Sequence, residues 1–332
     1  MKLVILSFIV IALLVPSLNP AQEAQMVPRV GILAGGALPG SPGAPRSHWS
    51  PYNALVDGLK ELGWIDGKTV ILEPRFAAGK LDRLPGMARE LVGMKVDVIV
   101  TVGGPAIRPA FEATRTIPIV MINGSADPVG DGFAASVARP GGNVTGVMWS
   151  PSAELIGKIL SILKEAIPGI SRVALLNDGP TRPTSVRAWN DASDKLQITV
   201  QRFEMSDVAD LEPIMRAIGR ARAEAVFVSM SAATYSYRNQ IAALALARGL
   251  PAISTVRELP EAGGLLSYGP NNAVVSRRGA AYVDMILKGA KPGELPFDQP
   301  SRFDLVINLK TAKALGITIP ESILLRADGV IR

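Results

Sequence analysis

Short apolar runs alternate with amphipathic stretches along most of this chain, and this alternation limits the folds that it can form. Residues 96–102 and 117–122 are dominated by β-branched and other apolar side chains, which is typical of strands buried on both faces of a parallel sheet. Segments such as 51–63 and 150–166 instead carry apolar residues at helical spacing. We therefore expect an α/β protein whose parallel sheets are covered by helices on both faces.

The alternation of strands and helices occurs twice, before and after a turn-rich stretch at 139–143. Two such runs predict two Rossmann-like lobes, with a ligand cleft lined by the loops at the carboxyl ends of the strands. We assign 25–142 to an N-terminal lobe, joined by part of 264–290, and 143–263 to a C-terminal lobe. Residues 291–332 are expected to form a crossover segment and a tail.

The first 24 residues have the order of an export signal. Lys2 gives a positive start, residues 3–15 are almost entirely apolar, and small residues follow at Ala21 and Ala24. The apolar run is shorter than the ~20 residues that a membrane-spanning helix needs. We therefore expect a signal peptide at 1–24 and a periplasmic location, with an uncleaved membrane anchor as the alternative.

Composition removes several classes of function. The 332 residues include no cysteine and a single histidine, so disulfides, thiolate metal sites, sites built from several histidines and a lipidated cysteine are excluded. The net charge of +6 comes from 35 basic and 29 acidic residues that are interspersed, and no charged block suggests a nucleic-acid partner. We expect no metal, no cofactor, and no nucleic acid as partner.

Two loops of the first lobe are candidates for ligand contact. The loop at 35–48 is rich in Gly and Pro, and loops above about 12 residues are uncommon without a function. Residues 103–106 follow a buried strand and open a helix, where backbone N–H groups suit a carboxylate or phosphate; an ordinary turn that needs glycine is the alternative. The candidates are Gly35, Gly36, His48, Trp49, Gly103, Gly104, Pro105 and Ala106.

Further candidates follow other predicted strands. Asp127 can accept a hydrogen bond from a ligand ammonium or hydroxyl group, although Asp-Pro also suits a simple turn. The aromatic rings of Tyr235 and Tyr268 are placed to stack on a ligand or to close the cleft, with ordinary surface aromatics as the alternative. The candidates in this group are Asp127, Asn177, Ser229, Tyr235 and Tyr268.

Several longer motifs resemble one known family. They are GLKELGW at 58–64, RPGGNVTGV at 139–147, AGGLLSYG at 262–269 and FDLVINLKTAKALG at 303–316. With these motifs the chain resembles the tryptophan-type substrate-binding proteins of ABC transporters, which are periplasmic-binding-protein-like. The resemblance implies a type I periplasmic-binding-protein-like fold, with the ligand enclosed between two lobes. It also implies delivery to an ABC permease powered by a separate ATPase, and its characterised members bind aromatic amino acids.

The favoured hypothesis is a non-enzymatic, monomeric solute-binding protein of an ABC importer. It would capture a small carboxylate-bearing solute, with an aromatic amino acid among the candidates, by closing its lobes. A ligand-sensing module of a signalling system would have the same fold and remains an alternative. An enzyme on the same scaffold is a weaker alternative, because the chain has no cofactor fingerprint and no convincing nucleophile.

Overall fold

The computed structural model describes residues 27–38, 51–125, 127–149, 153–178, 183–205, 207–229, 231–300 and 302–332. The predicted signal peptide at 1–24, as well as His48 and Trp49, lies outside the described residues. Across the described ranges, no helix combines the length and the apolar character needed to cross a bilayer.

The first lobe is built on a parallel sheet. Its strands are β1 (Arg29–Ala34), β2 (Ile71–Phe76), β3 (Val98–Val102), β4 (Ile119–Ile122) and β5 (Val144–Gly146). They lie in the order β2-β1-β3-β4-β5, and Val30 sits opposite both Leu72 and Val98. The helices of this part of the chain are α1 (Pro51–Glu61), α2 (Leu84–Gly93) and α3 (Ile107–Ala113).

The second lobe contains the remaining strands. They are β6 (Arg172–Asn177), β7 (Thr199–Glu204), β8 (Ala225–Val228), β9 (Ala252–Ser254), β10 (Leu266–Pro270), β11 (Phe303–Asn308) and β12 (Gly329–Ile331). The order is β12-β11-β10-β9-β8-β6-β7. The pairing is parallel except between β10 and β11, which run antiparallel. The expected two-lobe α/β fold is confirmed.

Helices fill the connections of this second half of the chain. They are α4 (Ala153–Ala166), α5 (Pro183–Leu196), α6 (Leu211–Arg220), α7 (Ala232–Ser236), α8 (Arg238–Leu246), α9 (Glu258–Glu261), α10 (Asn272–Leu287), α11 (Leu309–Ala314) and α12 (Glu321–Leu324). The apolar stripe of α4 packs into a buried cluster with α5 and the sheet, where Trp189 meets Phe227 edge-on with ring centroids 4.6 Å apart.

The chain segments that make up each lobe agree only in part with the expectation from the sequence: α10 lies within 264–290 and joins the first lobe, but other segments are placed differently. Strand β5 pairs with β4, so the first sheet extends beyond residue 142. Strand β10 belongs to the second sheet, whereas α10 joins the core of the first lobe. Residues 291–332 were expected to be a crossover and a tail; instead, β11 and β12 complete the second sheet, because the apolar run of β11 is buried there.

Helix α10 packs closely along α1, and glycine makes the approach possible. A methyl group on Gly58 would lie 3.0 Å from Cβ of Ala280 and 3.2 Å from Cα of Arg277. Trp64, just beyond α1, donates through Nε1 to Oδ1 of Asp284 at 2.9 Å. These contacts anchor the crossover helix on the first lobe beside the cleft.

Candidate functional site

A cavity of about 430 Å³ lies between the lobes, at the carboxyl ends of the first-lobe strands. Its first-lobe wall comes from the segments that follow β1, β3, β4 and β5, from the end of β2 and from the start of α1. Ser231, Tyr235, Ser236 and Val256 line it from the second lobe, and Asn272 lines it from the start of α10. The volume is in the range of about 300–1,000 Å³ typical of small-molecule sites.

Aromatic rings form much of this lining. Tyr52 and Phe76 meet edge-on, with centroids 5.4 Å apart, and Phe133 and Trp149 add two further rings. Tyr235 contributes a ring from the second lobe. Such rings bury apolar surface and favour offset or edge-on contact with another ring, so the cavity suits a ligand with a flat apolar group.

The glycine loop after β3 lines the cavity but offers fewer free donors than its sequence suggested. The N–H of Gly103 donates to the carbonyl oxygen of Ile122 at 2.9 Å, and the N–H of Ala106 donates to the carbonyl oxygen of Gly103 at 3.3 Å. Pro105 has no N–H. Within the part of the chain that the structure describes, the Gly104 N–H is therefore the donor of this loop left for a ligand.

Charged groups of both signs stand beside this loop. Arg108, in the first turn of α3, lines the cavity; its Nη2 donates to the Asp131 carbonyl oxygen at 2.7 Å, and its guanidinium lies 4.8 Å from the Phe133 ring centroid. Asp131 also lines the cavity, and one of its carboxylate oxygens accepts a short hydrogen bond from the Ser125 hydroxyl. A guanidinium and a carboxylate at one end of the cavity can together bind a zwitterion.

Asp127, named from the sequence, is exposed and is not part of the cavity lining. Its Oδ1 accepts a hydrogen bond from the Gly130 N–H at 2.8 Å, and its own N–H donates to Oγ of Ser125 at 3.0 Å. Asp127 thus closes the turn that carries Asp131. The acid that reaches the cavity is four residues further along the same loop.

The structure divides the other residues named from the sequence. Gly35, Gly36, Gly103, Gly104, Pro105 and Tyr235 line the cavity. Ala106 and Asn177 are buried and are not lining residues, and the carbonyl oxygen of Ser229 accepts a hydrogen bond from the Thr234 hydroxyl at 2.7 Å. Tyr268 is not part of the cavity lining and stacks on Phe303, with ring centroids 5.9 Å apart.

The second-lobe wall is held by a short, well-capped helix. Ser231 caps the N-terminus of α7 through a reciprocal capping box with Thr234. Its hydroxyl also donates a hydrogen bond to the carboxyl of Asp178. Burial raises the pKa of Asp178, and this hydrogen bond partly opposes the shift. Capping fixes the first turn of a helix, so α7 presents Tyr235 to the cavity from a defined position.

Comparisons with known proteins place this fold and cavity in a family. The family described as "ABC transporter substrate binding protein" matches residues 47–331. The chain belongs to this family. The resemblance drawn from the sequence motifs is thereby confirmed, and the chain is a substrate-binding protein of the ABC transporter type, a family of extracytoplasmic solute-binding proteins rather than enzymes.

Individual relatives agree with this assignment. A Streptococcus pneumoniae domain solved in complex with L-Trp is 25% identical, with a TM-score of 0.81 over 92% of this chain and 99% of that one. A conserved domain protein from Vibrio cholerae is 26% identical, with a TM-score of 0.82 over the same shares. A tyrosine-binding protein from Clostridioides difficile is 22% identical over 264 residues, or 79% of this chain and 75% of that protein.

Proposed function

We propose that this protein captures an aromatic amino acid between its lobes and delivers it to an ABC permease outside the cytoplasm. One observation carries the proposal: the interlobe cavity combines a lining rich in aromatic rings with a guanidinium and a carboxylate at one end. Each part matches one part of such a ligand, namely its ring, its carboxylate and its ammonium group.

The ligand's backbone atoms belong at the charged end of the cavity. The carboxylate would accept from the Gly104 N–H and from the guanidinium of Arg108, and the ammonium would donate to Asp131. Hydrogen bonds to charged groups contribute about 1.5–3 kcal/mol each. A plain aromatic acid or a plain amine would leave one of these groups without its partner, so both should bind more weakly than the amino acid.

The ligand's ring would then lie among Tyr52, Phe76 and Trp149, with Tyr235 closing over it from the second lobe. The relatives support this choice, since one was solved with L-Trp and another is a tyrosine-binding protein. Contacts from Tyr235 and Ser231 complete the cavity only when the lobes are together, so the ligand favours the closed arrangement. A permease that recognises this arrangement would receive loaded protein in preference to empty protein.

The test is calorimetric titration of protein that has been unfolded and refolded to remove any solute carried through purification. L-Trp, L-Tyr and L-Phe form the main panel. Benzoate carries only the carboxylate and tyramine only the ammonium group, and 5-methylthioribose represents a non-aromatic solute class. We expect saturable binding of at least one aromatic amino acid, with benzoate and tyramine at least about tenfold weaker. Binding of 5-methylthioribose without binding of any amino acid would refute the proposal.

Two arginines, one in the first turn of α3 and one just beyond its end, give a matched pair of variants. Arg108 and Arg115 are both exposed and both lie over a phenylalanine ring, at 4.8 Å from Phe133 and 3.7 Å from Phe111, but Arg108 alone of the two lines the cavity. Arg108→Gln should weaken amino-acid binding by about 10–100-fold, the loss of one charge-assisted interaction. Arg115→Gln should leave the affinity unchanged.

Delivery to a permease is tested separately. The purified protein would be added to proteoliposomes that hold the candidate permease and its ATPase, with ATP hydrolysis as the readout. Stimulation by protein and ligand together, beyond that by protein alone, is the expected result. Equal hydrolysis with and without ligand would count against import.

A further inference from the structure

A buried acid stands directly behind the cavity. Glu258, the first residue of α9, is 1% exposed. Its Oε1 accepts a hydrogen bond from Nδ2 of Asn272 at 3.4 Å, and its Oε2 has no hydrogen-bond partner among the residues that the structure describes. Burying a polar atom without a hydrogen-bond partner lowers the stability of the folded state. Stability alone therefore does not explain a glutamate at this position.

Glu258 lies where both lobes and the crossover meet. Asn272, at the start of α10, accepts through Oδ1 from Nδ2 of Asn123 at 2.9 Å, and Asn123 follows β4 of the first lobe. On the other side, the hydroxyl of Tyr235 in α7 interacts with the Glu258 carboxyl. Asn123, Asn272 and Tyr235 all line the cavity. Glu258 does not line it but lies behind these residues.

The surroundings favour the neutral form of this acid. Burial raises the pKa of Glu258, and the nearby carboxylate of Glu261 on the same helix raises it further. The hydrogen bond from the backbone N–H of Glu258 itself, the hydrogen bond from Asn272 and the guanidinium of Arg238 on α8 act in the opposite direction. A protonated carboxyl group can donate one hydrogen bond while it accepts others, which suits a group placed between a phenol and an amide.

The Tyr235 ring is also fixed from behind. The guanidinium of Arg238, 5% exposed, lies 4.6 Å from the Tyr235 ring centroid, and its Nη1 donates to the Tyr235 carbonyl oxygen at 2.7 Å. Arg238 therefore sets the plane of the ring, while the Glu258 carboxyl lies near its hydroxyl end. Burial raises the pKa of the Tyr235 hydroxyl, so this group stays protonated and able to donate.

From this geometry we infer that Glu258 is a positioning residue for the ligand, one that holds Tyr235 and Asn272 in the directions that the closed cavity needs. The inference rests on the proposed capture of a solute between the lobes. It has a distinctive consequence, because an apolar residue of similar length removes the buried oxygens along with their cost. Because the Nδ2 of Asn272 loses its acceptor at the same time, such a residue should change stability little while it lowers ligand affinity.

Three variants of the full chain test this inference: Glu258→Met, Glu258→Gln and, as a control on the same helix, Glu261→Gln. Affinity for the best-binding solute is measured by calorimetry, and stability by urea unfolding. Glu258→Met should bind about tenfold more weakly, the loss of hydrogen bonds that orient two cavity residues, without a lower unfolding midpoint. Glu258→Gln, which keeps a neutral acceptor and donor, should bind within about threefold of wild type. Glu261→Gln should bind like wild type.

A double-mutant cycle with Tyr235→Phe removes only the hydroxyl group that meets Glu258. That change should weaken binding by about threefold in the wild-type background and have little effect beside Glu258→Met, because coupled residues are not additive. If Glu258→Met does not fold, the affinity of Tyr235→Phe alone tests the inference. Wild-type affinity in Tyr235→Phe then overturns it.

The outcomes separate this inference from the proposed function. Wild-type affinity in Glu258→Met, or an affinity loss accompanied by a lower unfolding midpoint and not rescued by Glu258→Gln, overturns the positioning role alone. Failure of the wild-type protein to bind any solute of the panel overturns both proposals. Binding of a different solute class overturns the aromatic amino acid, and the same variants then test Glu258 with that solute.

Discussion

Replacement of Gly103 by alanine should destabilise this protein, whereas the same change at its neighbour should not. Gly103 has φ of 83° and ψ of 155°, a region of backbone space open almost only to glycine, where other residues cost about 1–3 kcal/mol. Gly104 has no such conformation, and a methyl group there would lie 3.8 Å from the carbonyl oxygen of Gly124, which is ordinary contact.

The two substitutions make a matched pair. Each removes one glycine from the unfolded chain, so the loss of unfolded-state entropy is shared and cancels in the comparison. What remains is the backbone strain at Gly103, and we expect Gly103→Ala to be less stable than Gly104→Ala by about 1–3 kcal/mol. Urea unfolding monitored by circular dichroism gives this difference, provided that the free energy of unfolding of both variants shows the same dependence on denaturant concentration.

The same pair reports on the site. If Gly103→Ala relieves its strain by moving the loop, the Gly104 N–H shifts and the affinity for the amino acid falls together with stability. Gly104→Ala keeps the backbone but adds a methyl group to the cavity wall, so it should alter affinity with little change in stability. Equal stabilities of the two variants would refute the assignment of strain to Gly103.

Three further predictions concern other contacts. Asp131→Asn should weaken amino-acid binding by about tenfold in calorimetry, and Asp127→Ala by less than about threefold, since Asp127 only closes a turn; the reverse order would refute the assignment of Asp131 to the site. The raised pKa of Glu258 means that the folded protein keeps a proton that the unfolded chain releases. The contribution of Glu258 to stability should therefore fall as pH rises above the ordinary carboxyl value, so the stability of Glu258→Gln relative to wild type in urea unfolding should increase between pH 4 and pH 8; a constant difference would contradict it. Trp64→Phe, which removes the bond to Asp284, should cost about 1 kcal/mol in urea unfolding, and an unchanged midpoint would count against that bond.

Strands and helices with a strong local pattern were predictable from the sequence. The apolar run of β3 and the amphipathic pattern of α4 each specify one kind of element, and both are found near the expected residues. Strand β5 has only three residues and no local pattern of its own. It forms because the backbone of β4 is available to pair with it. That pairing depends on a distant part of the chain and cannot be read from the residues of β5 alone.

The site was predictable as a set of loops but not as a set of side chains. The loop after β3 was placed correctly at the cavity, because the carboxyl ends of parallel strands meet at one edge of a sheet. Arg108 was missed, since the helical face that it occupies depends on how α3 packs against its neighbours. Tyr268 was placed at the cleft, yet the antiparallel strand β11 brings Phe303 beneath it and turns it into a packing residue.

The exchange of segments between the lobes also sets the order in which the molecule can fold. The five strands of the first sheet are all synthesised by residue 146, but α10, which packs along α1, ends only at residue 287. At translation rates of about 5–20 residues per second, the first lobe waits for roughly 7–28 s with part of its core uncovered. During this interval the second-lobe stretch up to α10 must emerge, and the second sheet then still lacks β11 and β12. The first lobe therefore completes its core only after most of the second lobe has been synthesised.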